Sequence, residues 1–133
     1  MTQSSKQQRF PKTQRILKHA DFERVYKQGR RHFAAHMTVF YGARRNEEGA
    51  PTQGLRVGFT VSKALGGAVQ RNRMRRRLRE AVRLDGANRE LGADVVINPK
   101  RSLLTADFAE IMNEVAKAFV SIEKTFKKEK PRN

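Results

Sequence analysis

Residues 55–84 read Leu55-Arg-Val-Gly-Phe-Thr-Val-Ser62, a short Lys-Ala-Leu-Gly-Gly link, and then Ala68-Val-Gln-Arg-Asn-Arg-Met-Arg-Arg-Arg-Leu-Arg-Glu-Ala-Val-Arg-Leu84. The hydrophobic period changes across the link. Leu55, Val57, Phe59 and Val61 alternate with Arg56, Gly58, Thr60 and Ser62, which predicts a half-buried strand whose second face is small, polar and basic. After the glycines, Met74, Leu78, Ala81 and Val82 fall at i, i+4, i+7 and i+8, a narrow apolar stripe that can dock on a sheet. Arg73, Arg75, Arg76, Arg77, Arg79 and Arg83 spread around the rest of that helix. A strand running into a helix of this kind implies an α/β layer arrangement.

The helix carries an unusual charge pattern. Arg71 to Arg79 holds six arginines and no acid, and Glu80 is the first carboxylate after it. Arg71/Arg75, Arg75/Arg79 and Arg79/Arg83 each place like charges one turn apart, which destabilises an isolated helix. Folding alone gains nothing from this pattern, so a polyanionic partner is expected. The whole chain agrees: Lys+Arg 29 against Asp+Glu 13 gives +16 on 133 residues. That excess is the electrostatic footprint of phosphate neutralisation. A membrane surface would call for Trp, Phe or Leu opposite the basic face. The chain has no Trp, and the stripe on its basic helix is aliphatic and small.

Outward from this centre the chain reads as one domain. Asp21 to Gly29 is a short helix, with Asp21 as its N-cap and Gly29 as its C-terminal stop, and it sets Phe22 and Tyr26 one turn apart beside Val25. Residues 36–43 are β-branched and aromatic and read as a strand. A polar loop from Arg44 to Gln53 follows. Asp94-Val-Val-Ile-Asn98 is a short strand of the centrally buried kind, ended by Pro99. Phe108, Ile111, Val115, Phe119, Ile122 and Phe126 mark an amphipathic helix that Thr105 can cap, with Asp107 suited to its positive end. Residues 1–14 are expected to be a flexible basic arm, 15–126 the domain, and 127–133 a basic tail.

No catalytic constellation is visible. There is no Gly-x-x-x-x-Gly-Lys-Ser/Thr loop, no His-Glu-x-x-His and no Gly-x-Ser-x-Gly. His19, His32 and His36 match no helical metal pair, and Cys is absent, which excludes a disulfide scaffold, a thiolate zinc site and a Cys nucleophile. Asp85, Asp94, Asp107, Glu110 and Glu114 are scattered, or stand where helix capping or solvent exposure accounts for them. No metal site and no protein-bound cofactor are expected. The absence of Cys fits a reducing cytoplasm, and no stretch approaches the length of apolar sequence that spans a membrane.

Leu55-Arg-Val-Gly-Phe-Thr-Val-Ser-Lys63, followed by Gly66-Gly-Ala-Val-Gln-Arg-Asn-Arg-Met-Arg-Arg-Arg-Leu-Arg-Glu80, resembles the protein subunit of bacterial ribonuclease P. That family carries R-N-R-x-K-R-x-x-R after a V-G-x-x-V-S-K strand. The resemblance continues upstream in Asp21-Phe22, Val25-Tyr26 and Gly29-Arg30, and downstream in Asp94-Val-Val-Ile, and so covers most of residues 15–126. It implies an α/β (α+β) two-layer sandwich with a four-stranded sheet and about three helices. It also implies a left-handed β-α-β crossover, against the usual right-handed rule.

In function, the resemblance implies a subunit that does not cut. The RNA subunit, with Mg²⁺, removes the 5′ leader of precursor tRNA; the protein binds that RNA and the leader, in the bacterial cytoplasm, with no protein partner implied. Carried over by motif, Arg71, Asn72, Arg73, Arg75, Arg76 and Arg79 face the catalytic RNA. Arg79 or Arg83 could instead pair with a carboxylate. A leader cleft between the first helix and the sheet would use Phe22, Tyr26, Val39 and Tyr41 as apolar walls and Arg56, Thr60, Ser62 and Lys63 as polar and cationic contacts. Phe22 could equally be core. Tyr41 and Phe40 alternate, so only one faces the core, and the resemblance favours Tyr41 for the cleft. Two positions depart from the family: Arg75 stands where Lys is usual, and Ala64 where many members carry a second Lys. A structural or ribosomal RNA-binding protein is the alternative reading; a DNA reader is disfavoured because Asn72 alone is a thin base-reading set.

Overall fold

The computed structural model describes residues 18–45, 48, 50, 52–86 and 91–129. The chain runs through α1 (His19–Gln28), β1 (Arg31–Phe33), β2 (Met37–Ala43), β3 (Arg56–Phe59), a 3₁₀ turn (Lys63–Leu65), α2 (Ala68–Gly86), β4 (Ala93–Pro99), a second 3₁₀ turn (Arg101–Leu104) and α3 (Phe108–Glu129). The four strands form one sheet in the order β1-β2-β4-β3. β2 pairs antiparallel with both β1 and β4, while β3 lies parallel to β4. β3, α2 and β4 are therefore a β-α-β unit joining neighbouring strands. The α+β architecture is the one expected. The expected arm, residues 1–14, and the end of the tail lie outside the described residues.

One face of the sheet builds the core. Met37, Val39 and Tyr41 of β2, Val57 of β3, and Ala93, Val95 and Ile97 of β4 pack with α2 and α3. Met74, Leu78, Ala81 and Val82 of α2 are each 0% exposed, so the stripe read from the sequence is the docking face. Each fully buried Val, Leu or Met contributes roughly 1.5–3 kcal/mol. Ile111, Val115, Ala118, Phe119 and Ile122 are the matching face of α3. The alternate residues of the strands point the other way, where α1 lies against β2 and β4. On that side Val25 of α1 is fully buried, and so is Val96, which lies between core-facing Val95 and Ile97 on β4.

Several boundaries differ from expectation for identifiable reasons. α1 begins at His19, so Asp21 is the third helical residue and not the N-cap. Its carboxylate reaches back to accept from the Lys18 backbone N–H at 3.0 Å, half of a capping box. Gly29 ends the helix as predicted, at φ 70°, where only glycine is free of strain. Thr105 closes the second 3₁₀ turn rather than capping α3. The first turn of α3 instead bonds to the Asp107 carbonyl. β1 was not predicted from the residues at all: a three-residue strand shows too little alternation to register.

Candidate nucleic-acid interface

α2 presents its cations in two groups. Arg73, Arg76 and Arg79 are exposed and have no hydrogen-bond or ion-pair partner among the described residues. They lie opposite the buried stripe, spaced three residues apart, as a ridge of guanidinium forks open to an anion. Asn72 is exposed beside them and accepts from Arg75 at 2.9 Å. Arg71 is half-buried and donates to the Gly66 carbonyl at 3.1 Å, fastening the Gly-Gly link to the helix. All six motif residues thus sit on this helix, three fully open and three tied locally.

The remaining arginines of α2 are structural. Arg77 donates to the carbonyls of Leu103, Leu104 and Ala106, and so pins the second 3₁₀ turn to α2. Arg83 bonds Glu80, three residues earlier. That hydrogen bond holds the Glu80 carboxyl below its ordinary value, against the opposing pull of desolvation. Of the two arginines with an open alternative, Arg83 takes the carboxylate and Arg79 does not.

The second surface lies on the α1 side of the sheet. Tyr26 meets Phe40 edge to face, with ring centroids 4.9 Å apart. Its hydroxyl is 2.9 Å from Thr60 Oγ1 and 3.1 Å from Asn98 Oδ1, donating to one at a time. Phe22, one turn before Tyr26, is half-buried rather than sunk in the core. Thr60, Ser62 and Lys63 are exposed where β3 leads into α2. The Ser62 hydroxyl accepts from the Ala64 N–H at 3.1 Å, capping the 3₁₀ turn. Arg101 donates to the Ala64 carbonyl at 2.7 Å and braces the same turn. The ammonium of Lys63, the first residue of that turn, has no partner among the described residues. The β3–α2 connection therefore leads from Thr60, through the 3₁₀ turn at Lys63–Leu65, into the helix that carries the arginine ridge.

Two expected cleft residues lie elsewhere, and a third is engaged in ion pairs. Val39 is 0% and Tyr41 7% exposed, both on the core face. Tyr41 packs against Phe126 of α3 at 6.1 Å between centroids. Alternation puts Phe40 on the α1 side instead, so the choice between the two neighbours is reversed. Arg56 does point to the α1 side, but its charge is engaged. It donates to both carboxylate oxygens of Asp94 at 2.8 Å each, and to Asp21 at 3.3 Å. Arg24 of α1 also bonds Asp21 and Asp94.

This Arg24–Asp21–Arg56–Asp94 cluster joins α1, β3 and β4. Asp94 is 0% exposed, so neither capping nor solvent accounts for it. A buried carboxylate requires partners, and a lone Asp heading a Val-Val-Ile strand was the available signal. Burial pushes the Asp21 carboxyl up, but the Lys18 N–H and the Arg56 and Arg24 guanidinium groups outweigh it and hold the group below its ordinary value. At the β1–β2 turn, His36 bonds Ser102 and Glu114, and no group of three His, Asp or Glu able to hold a metal occurs among the described residues. Among the described residues, no helix is long and apolar enough to cross a membrane.

Fold and site define a class: a strongly basic α+β protein with an open arginine ridge on one helix and a separate aromatic surface between α1 and the sheet. Comparison with known proteins narrows it. Residues 10–123 match the family model described as Ribonuclease P. The ribonuclease P protein component of Desulforapulum autotrophicum is 35% identical over 117 residues, covering 85% of this chain and 92% of that one. The Oleidesulfovibrio alaskensis component is 42% identical over 89 residues, 67% of this chain and 68% of that one. The solved RNase P protein of Staphylococcus aureus superposes with a TM-score of 0.67 at 29% identity, over 84% of this chain and 96% of that one. The Thermotoga maritima RNase P protein shares the fold, with a TM-score of 0.62 at 22% identity, over 81% and 93% of the two chains. The chain belongs to the family of ribonuclease P protein components.

Proposed function

We propose that this protein binds the catalytic RNA of ribonuclease P through α2 and the single-stranded 5′ leader of precursor tRNA through the α1–sheet cleft. It thereby promotes removal of the leader. Hydrolysis belongs to the RNA, which uses Mg²⁺; the protein contributes affinity and position. The reading implies a bacterial cytoplasmic ribonucleoprotein.

The observation that carries this reading is the division of labour between two surfaces. Arg73, Arg76 and Arg79 offer unpaired cations on a rigid helix, which suits docking on a folded, phosphate-dense surface. Tyr26 and Phe40 offer ring faces and edges beside Thr60 and Asn98, and half-buried Phe22 stands one turn before Tyr26 on α1. Stacking on aromatic rings tolerates any base, as leaders of varied sequence require. A duplex keeps its bases stacked inside and cannot use such a cleft. Lys63, exposed where β3 leads into α2, supplies a further cation for backbone phosphate in this reading.

The test is the affinity of a reconstituted RNA–protein complex for precursor and mature tRNA, with cleavage blocked. The reading expects the protein to increase affinity for precursor more than for mature tRNA. An equal increase for both would leave α2 as an RNA-docking surface and remove the leader from the account.

A further inference from the structure

The cleft does not end at Phe40. Register pairs Arg31 with Phe40 and Phe33 with Thr38, so Arg31 and Phe33 share the face of the sheet that carries Phe40. The Arg31 guanidinium lies 5.1 Å from the Phe40 ring centroid and 5.9 Å from that of Phe33. Tyr26, Phe40, Arg31 and Phe33 therefore form an unbroken row of rings and cation from α1 to the sheet edge. Phe33 is 66% exposed at the end of that row. An isolated exposed ring would need no explanation. This one is held in line with a cation and a stacking cleft.

We propose that Arg31 and Phe33 form an additional subsite, beyond the α1–sheet cleft, that stacks one nucleobase of single-stranded RNA while Arg31 meets the adjoining phosphate. The subsite rests on the leader reading of the cleft and extends it: a longer leader crosses β1 after leaving Phe40. The occupant follows from charge and continuity. A chain of net charge +16 repels a second copy of itself, and the row runs on directly from the cleft. An aromatic face beside a guanidinium is the sequence-tolerant grip used on single strands.

The experiment uses the complex reconstituted with a bacterial ribonuclease P RNA and precursor tRNAs whose leaders grow one nucleotide at a time. Dissociation constants are compared for wild type, Phe33→Ala, Phe33→Tyr and Arg31→Gln. The ratio of the Phe33→Ala constant to that of wild type should climb with leader length to about 5-fold or more. Phe33→Tyr, which keeps the ring, should restore wild-type behaviour, and Arg31→Gln should follow Phe33→Ala in part. A ratio flat across leader lengths, or a tyrosine variant as weak as alanine, overturns the subsite. Phe22→Ala, measured in parallel, separates the two readings. If it discriminates precursor from mature tRNA while the Phe33 ratio stays flat, the subsite alone fails; if neither discriminates, the cleft fails as well. A flat ratio with a wild-type dimer in sedimentation that Phe33→Ala abolishes would assign the ring to self-association and likewise overturn the proposal.

Discussion

Arg56 on β3 grips both carboxylate oxygens of Asp94 on β4, at 2.8 Å each, and Asp94 has no exposed surface. The pair sits on the α1 side of the sheet, where Arg24 and Asp21 of α1 close the cluster. Buried ion pairs add little net stability over apolar packing, but losing one partner is expensive. The cluster is best understood as a register device. It sets where α1 lies on the sheet, and so where Tyr26 meets Phe40.

Asp94→Asn keeps the shape and removes the charge, leaving two guanidinium groups without their buried counterion. Urea unfolding should show a loss of about 3–5 kcal/mol. The variant complex should also lose affinity for precursor more than for mature tRNA. A stability loss under about 1 kcal/mol, the scale of an exposed pair, would contradict the assignment.

Asp21 gives a pH signature. Its folded carboxyl titrates below the ordinary value of 3.8. Stability from the charged form is therefore present above that value and lost as pH falls through the depressed folded value. Asp21→Asn should be less stable than wild type near neutrality, and the gap should close as pH falls below 3.8. Urea midpoints of both proteins, followed downward from pH 6, measure this. A gap independent of pH would place the role of Asp21 outside its charge.

The arginines of α2 should separate by assay. Replacing Arg73 and Arg76 with Gln should weaken binding to ribonuclease P RNA and flatten the log–log salt dependence by roughly 0.9 per lost phosphate contact on a duplex. Arg77→Met should instead destabilise the fold by about 1.5–3 kcal/mol for its lost charged hydrogen bonds, with little change in slope. Reversed behaviour would mean that the buried and open arginines have been confused.

Neighbouring aromatics on β2 provide the sharpest contrast. Tyr41→Ala should empty core volume beneath α3 and lower stability by about 3–5 kcal/mol, as for other large core aromatics. Phe40→Ala should mainly lower affinity for precursor tRNA, since its ring meets Tyr26 in the cleft. A leader defect in Tyr41→Ala at temperatures where it stays folded, with none in Phe40→Ala, would restore the original choice between the two.

The contrast also shows what the residues made legible. The stripe Met74, Leu78, Ala81, Val82 and the alternation Leu55, Val57, Phe59, Val61 are one-dimensional patterns, and all of these residues are buried except Phe59, which is half-buried against the same core. Alternation on β2 established that Phe40 and Tyr41 part company, but not which face the core takes. That depends on pairing with β4 and on where α3 lies. Arg56 read as a free cleft cation because its partners are 38 residues away on β4 and 35 away on α1. β1 escaped because its three residues gain their order from β2, not from their own pattern. The open trio Arg73, Arg76, Arg79 was distinguishable from Arg77 only once the carbonyls of Leu103, Leu104 and Ala106 were located.

The central claim is that this protein promotes RNA-catalysed removal of the tRNA leader. The most direct measurement is cleavage of precursor tRNA at low Mg²⁺ by a bacterial ribonuclease P RNA, with and without the protein. The account predicts 5′ leader release by the combination and none by the protein alone. Tight, salt-sensitive RNA binding with no stimulation of cleavage would contradict it, and would leave a structural RNA-binding protein in its place.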